Sequence, residues 1–240
     1  MKLYDSIIRQ TMEILGPAVK RLPRVAPWPD SGSSELVMQR DAALELGGSG
    51  LPSVNYTCVT TESGPAEDEI LLLGPDLPAL KTDKAFARIV ILTTDELTED
   101  DAGHDMIREM EFVRYHVFPK GYMVRVSSTS YEEQVRISRE AVKKGIGFAA
   151  VGADYLAKYR AVKGVRAVRI IFVTDGTAVK ALQPYAKKVD DITKTLSHIL
   201  DGLPTDCGHC TLKPVCDEVE GMREMHMGKK NPSGAACHLP

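Results

Sequence analysis

No stretch of this chain is apolar for the roughly 18–20 residues that a helix needs to cross a bilayer. Its first residues also lack the order of basic, apolar and small side chains that marks a secretory leader. Both absences point to the cytoplasm, with no membrane partner. Basic charge is lacking too: the net charge is -3. Nucleic acid is therefore not the expected main partner, although Lys and Arg are dense over residues 136–169. There is no Ser-His-Asp set, no HExxH and no spaced carboxylate pair to carry hydrolytic chemistry. The glycine-rich Glu45-Leu-Gly-Gly-Ser-Gly50 lacks both the GxGxxG spacing and the Lys-Ser/Thr of a P-loop, so it reads as a turn. No internal repeat or low-complexity tract is visible, and tryptophan occurs once, as Trp28 between two prolines. That residue reads as an anchor for an extended arm.

What the chain does have is cysteine in one place. Four of its five cysteines fall in the last 34 positions: Cys207-Gly-His-Cys210, then Cys216, then Cys237. A CxxC pair holds two sulfurs on one turn, and a third thiolate six residues on can close one face of a metal or iron–sulfur site. In a reducing compartment such a set binds metal or does redox chemistry rather than forming disulfides. From the residues alone, zinc held by Cys207, Cys210, Cys216 and either Cys237 or a histidine (His209, His226 or His238) is as good an expectation as an iron–sulfur cluster. Cys58, alone and far upstream, reads as a small buried hydrophobe.

At 240 residues and 43% hydrophobic content the chain can bury a sizeable core. Residues 3–15 repeat apolar side chains at Ile7, Ile8, Met12 and Leu15, a helical period that Gly16-Pro17 ends. A Pro-rich arm follows over residues 22–34. Strands are expected at 54–60, 69–73, 87–94, 121–127 and 165–174. The runs at 87–94 and 165–174 are β-branched and nearly continuous, as when both faces of a sheet are covered. Between them, helices are expected from Asp100 toward Pro119, in the second half of 131–144, and over 154–162. In the second of these Glu132, Glu133, Arg139, Lys143 and Lys144 are expected to face water, and 134–138 fits either a strand end or the helix. Residues 147–151 read as a short strand or buried turn. Residues 177–200 form one long helix or two, divided at Pro184. His104 and His116 read as packing or surface residues. The expected fold is α/β, a mixed sheet covered by helices with a C-terminal cysteine-rich, cluster-binding tail. The divisions are 1–44 (helix and arm), 45–202 (α/β domain) and 203–240 (cysteine segment).

Several segments in that order carry a resemblance: Glu45-Leu-Gly-Gly48, Leu73-Gly-Pro-Asp76, Val135-Arg-Ile-Ser138 with Ala141 and Lys144-Gly145, Val173-Thr-Asp175, and Cys207-x-x-Cys210 with Pro214-Val-Cys216. Between Glu45 and Cys216 the chain resembles the β subunit of the carbon monoxide dehydrogenase/acetyl-CoA synthase complex. The resemblance implies an arginine-rich α/β domain associated with coenzyme A, and a [4Fe–4S] cluster on Cys207, Cys210 and Cys216. It favours the iron–sulfur cluster over zinc. The family's fourth cysteine would fall near His226, so the fourth ligand is either His226 in its place or Cys237, of which Cys237 is the preferred expectation. The loop between Cys210 and Cys216 is tighter than the family's. The Cys-Gly-Cys that holds nickel in the family is missing before Pro240, so nickel and a complete acetyl-CoA synthase site are not expected. Among the arginines Arg136, Arg139, Arg160, Arg166 and Arg169, Arg136 is the foremost candidate for an anion or coenzyme A contact, because it lies in a matched segment. The implied function is redox or ligand-binding chemistry on a one-carbon or thioester molecule, in an oxygen-sensitive protein. The competing reading is an electron-transfer or accessory subunit of a larger metalloenzyme.

Overall fold

The computed structural model describes residues 2–48, 50–95, 101–126, 133–200 and 210–218. In chain order its elements are α1 (Asp5–Leu15), β1 (Lys20–Arg21), β2 (Ala42–Leu46), β3 (Ser53–Thr60), β4 (Glu69–Leu73), β5 (Phe86–Thr94), α2 (Asp101–Phe112), β6 (Tyr122–Val126), β7 (Glu133–Ser138), α3 (Arg139–Lys143), α4 (Phe148–Arg160), β8 (Val165–Val173), α5 (Gly176–Leu200) and α6 (Lys213–Glu218). None of its helices is long and apolar enough to cross a membrane, among the described residues.

Five strands make a mixed sheet in the order β1-β4-β8-β5-β3, and three make an antiparallel sheet in the order β2-β7-β6. Within the larger sheet β4/β8 and β3/β5 are parallel, while β5 and β8 run antiparallel through its centre. Strands β5 and β8 have the apolar runs of doubly covered strands, and nearly every residue of β5 is buried. Helices α1 and α5 cover one face, where Arg169 reaches Met12 Sδ and Thr11 Oγ1 lies 2.8 Å from the Tyr56 hydroxyl. On the other face α4 lays Phe148 against Phe172 (ring centroids 4.4 Å apart) and Phe86 (6.0 Å). The three-stranded sheet adjoins this second face, joined to β5 by Arg88 and Glu133.

Two junctions depend on particular residues. At the C-terminal ends of β4 and β8, Gly74 has φ +103°, and a Cβ there would come within 2.5 Å of Thr174 Oγ1. That hydroxyl donates to Pro75 O (2.8 Å), and Thr174 N–H donates to Leu73 O (2.9 Å). Next in the chain, Asp76 Oδ1 accepts from Leu77 N–H (2.7 Å) and from Phe148 N–H (2.8 Å), so a loop carboxylate caps a helix 72 residues away. At the second junction Glu45 lies opposite Arg136 in the β2–β7 register, and the two side chains form an ion pair. Leu73-Gly-Pro-Asp76 with Val173-Thr-Asp175, and Glu45-Leu-Gly-Gly48 with Val135-Arg-Ile-Ser138, are thus neighbours in space.

The Pro-rich arm straps the two sheets together. It leaves the large sheet through β1, where Leu22 N–H donates to Ile70 O (2.8 Å) and Arg21 pairs with Glu67 (2.7 Å). It then crosses α4, with Trp28 N–H on Ala150 O (3.2 Å) and the indole Nε1–H on Lys120 O (2.9 Å). Glu35 accepts from Gly121 N–H (2.8 Å) just before the chain enters β2. Trp28 anchors the arm as its place between prolines suggested.

Two local expectations are corrected, and two alternatives are settled. Residues 147–151 are the start of α4, which runs from Phe148; its N-terminus is completed by Asp76, a partner that local pattern does not reveal. Residues 134–138 lie in a strand, and Ser138 caps the short α3 by accepting from Ala141 N–H (3.0 Å). Glu133 does not face water: it is 1% exposed. Pro184 lies within a single continuous α5, resolving that alternative.

Under the arm, Asp154 on α4 is 5% exposed, and its Oδ2 has no hydrogen-bond partner among the described residues. Burial, and then the Asp30 carboxylate, raise its carboxyl from an ordinary 3.8 to about 6; Lys158, which pairs with Asp30 at 3.4 Å, acts the other way. The folded chain therefore holds this proton more tightly than the unfolded chain. The cost of the bare carboxylate is full above pH 6 and disappears as pH falls toward 3.8. Asp154→Asn is expected to stabilise the protein by on the order of 2 kcal/mol at pH 8 and to match the parent near the acid end, as read from urea melts across pH. A gain that persists unchanged at low pH would show that packing, not titration, is responsible.

Truncating one member of the buried Arg88–Glu133 pair leaves a bare charge in the core. Glu133→Ala is expected to cost about 3–5 kcal/mol, whereas the double variant Arg88→Met with Glu133→Leu recovers most of that loss. Denaturant melts check this; a double variant as unstable as the two singles summed would contradict it.

Candidate functional site

The cysteine segment reaches the body through α5 and α6. Helix α6 packs on α5, and its Val215 rests against the main core. Pro214 sits in the first turn of α6, where a missing N–H does no harm. Before the helix, Cys210 O accepts from Lys213 N–H (3.2 Å) and Leu212 O from Val215 N–H (3.0 Å), a tight turn directly ahead of α6. Cys210 is half-buried and unbridged, and Cys216 is carried within α6. Cys207, Cys237 and His226 lie outside the described residues. Among the described residues no group of three or more His, Cys, Asp and Glu side chains converges to hold a metal ion.

Cys210 is half-buried, on the turn that precedes α6. Cys58 is its opposite: it is 0% exposed in β3. Burial raises its thiol well above the ordinary range, and the carboxylates of Glu111 and Asp5 push the same way. A sulfur so held stays protonated and does not serve as a metal ligand.

The arginines do not gather into one anion pocket. Arg136 is engaged by Glu45 across the β2–β7 pair. Arg169 donates to Glu69 (2.6 Å), and Arg166 donates to Thr94 O (3.0 Å) and lies 3.3 Å from Asp95. Arg160 donates to Val165 O (2.7 Å) and to Arg166 O. These four tie strands to their neighbours. Arg139 is exposed and lines a cleft of about 470 Å³ between the arm and α3, walled by Trp28 and Val37. Lys120 and Lys144 share that cleft with Glu35, Asp41 and Glu140, so its charge is balanced.

The largest concentration of buried polar groups lies elsewhere and was not foreseen. Arg88, 2% exposed near the start of the apolar strand β5, donates to Glu133 Oε2 (2.7 Å) and to the Tyr155 hydroxyl, with its guanidinium 4.5 Å from the Tyr155 ring centre. Tyr122 and Tyr159 complete the surroundings. One signal was available, a lone arginine within Ala-Arg-Ile-Val-Ile-Leu; its partner, on the other sheet, had none.

No protein-family model matches this chain, and no curated protein matches it in sequence.

The contrast between the two described thiols is directly measurable. In metal-free protein under native conditions, iodoacetamide is expected to modify Cys210 and to leave Cys58 untouched until denaturant is added, as read by peptide mass spectrometry. Labelling of Cys58 in the native protein would contradict its burial.

Proposed function

We propose that the chain is an iron–sulfur protein, holding a [4Fe–4S] cluster on Cys207, Cys210, Cys216 and Cys237 and acting in redox or ligand-binding chemistry on a small one-carbon or thioester molecule. The observation that carries the proposal is the setting of Cys210: half-buried, unbridged, on a turn ahead of a helix that bears Cys216 and docks on α5. The fold around it adds support, because the segments that resemble the acetyl-CoA synthase β subunit form two contiguous junctions rather than scattered matches. When bound, the cluster supplies one-electron redox chemistry and an iron that can bind a ligand. The chain's part is to present the sulfurs at the surface, to fix the turn between Cys210 and α6, and to keep Cys58 out of the exchange. A coenzyme A anion would have to compete with Glu45 for Arg136, so an association with that residue would be accompanied by loosening of the β2–β7 pair.

Anaerobic purification with metal and sulfide analysis tests the proposal. About four irons and four sulfides per chain are expected, and loss of the signal of the reduced cluster, or a change in its form, on Cys237→Ala but not on His226→Ala. About one zinc and no sulfide would overturn it in favour of a structural zinc site.

A further inference from the structure

Four polar atoms around the Arg88–Glu133 pair have no hydrogen-bond partner among the described residues: Arg88 Nε, Glu133 Oε1 and the hydroxyls of Tyr122 and Tyr159. Their residues are 2%, 1%, 3% and 0% exposed. The other polar atoms of the pair are taken, since the terminal nitrogens of Arg88 serve Tyr155 and Glu133 Oε2. Leaving a buried donor or acceptor unpaired costs ~1–3 kcal/mol, and more when it belongs to a charged group. Unpaired atoms on both members of one ion pair call for a common partner rather than separate misfits. The partner's chemistry follows from what is offered. Arg88 Nε can only donate, the free carboxylate oxygen can only accept, and a tyrosine hydroxyl can do either. A metal ion does not fit, because a guanidinium repels it and one carboxylate oxygen is too few ligands.

We propose that this cluster is a binding site for ordered water. One molecule accepts from Arg88 Nε and donates to Glu133 Oε1, and a hydrogen-bonded continuation reaches the Tyr122 hydroxyl. Water is the smallest species with both capacities, and internal water of this kind makes about three hydrogen bonds to groups that have no other partner. Its ligands come from β5, β6 and β7, with Tyr155 of α4 alongside, so the water belongs to the joint between the two sheets. That joint is then partly built of solvent.

A high-resolution crystal structure of the full chain, with water ¹⁷O relaxation dispersion in solution, tests this. The expected result is a compact density peak about 2.7–3.2 Å from both Arg88 Nε and Glu133 Oε1. A dispersion step from long-lived internal water should shrink in Arg88→Met with Glu133→Leu, while Tyr122→Phe should remove only the far end of the density. Crystals in which these atoms pair with protein groups overturn the assignment, as does elongated density from an organic guest. A dispersion step unchanged in the double variant overturns it as well.

Discussion

The fold depends on a charge pair that the core must shelter. Arg88 stands near the start of β5, an inner strand of the large sheet, and Glu133 at the start of the middle strand of the small one, and each is almost completely withdrawn from solvent. Desolvating two charges costs several kcal/mol per ion, which their attraction offsets only when geometry and additional hydrogen bonds are good. Such a pair adds little net stability over a hydrophobic replacement. What it adds is selectivity among arrangements, because sliding the small sheet by one residue would turn Glu133 outward and strand Arg88 in apolar surroundings. The stacked Tyr155 ring and its hydroxyl draw α4 into the same requirement. Two sheets and a helix are thereby held to one register by a single guanidinium.

Everything else that joins the layers acts at the edges of this constraint. The arm passes from β1 over α4 to the strand that begins the small sheet, and its bonds are mostly to backbone carbonyls and amides. It therefore follows the relative position of the layers rather than setting it. Asp76 does for α4 what Arg88 does for the sheets, reaching across a long sequence separation to complete a local structure. Leu73-Gly-Pro-Asp76, Val173-Thr-Asp175, Glu45-Leu-Gly-Gly48 and Val135-Arg-Ile-Ser138 lie at these joints, at the ends of β4 and β8 and along β2–β7. Turn and cap chemistry restricts residue choice strongly at such places, so these short segments are intelligible as local structural requirements.

Elements whose cause is local were legible in the sequence. Helix α1 follows from the spacing of Ile7, Ile8, Met12 and Leu15 and from the stop at Gly16; β5 and β8 follow from long β-branched runs. Elements with a remote cause were not. Strand β2 is set by pairing with β7, and Glu45 within it reads as part of a turn until Arg136 is placed opposite. The start of α4 needs Asp76, and Glu133 looks like a surface residue of a helix until Arg88 is brought to it. For the cysteine segment, composition and spacing suggested the chemistry, while the structure adds the docking of α6 on α5 and the half-buried setting of Cys210.

The two ends of this molecule use buried and exposed polarity for opposite purposes. At the sheet joint, charges are sealed among tyrosines so that their partners are dictated and exchange with solvent is suppressed. At Cys210 the sulfur is held on a short turn where it remains reachable, and the only described helix beside it carries the next cysteine. The cluster proposed on these cysteines would use this second arrangement, because small molecules must reach it. Burial of Cys58 within β3, with carboxylates nearby that further disfavour its ionised form, rests on the same desolvation that makes the Arg88–Glu133 pair so exacting.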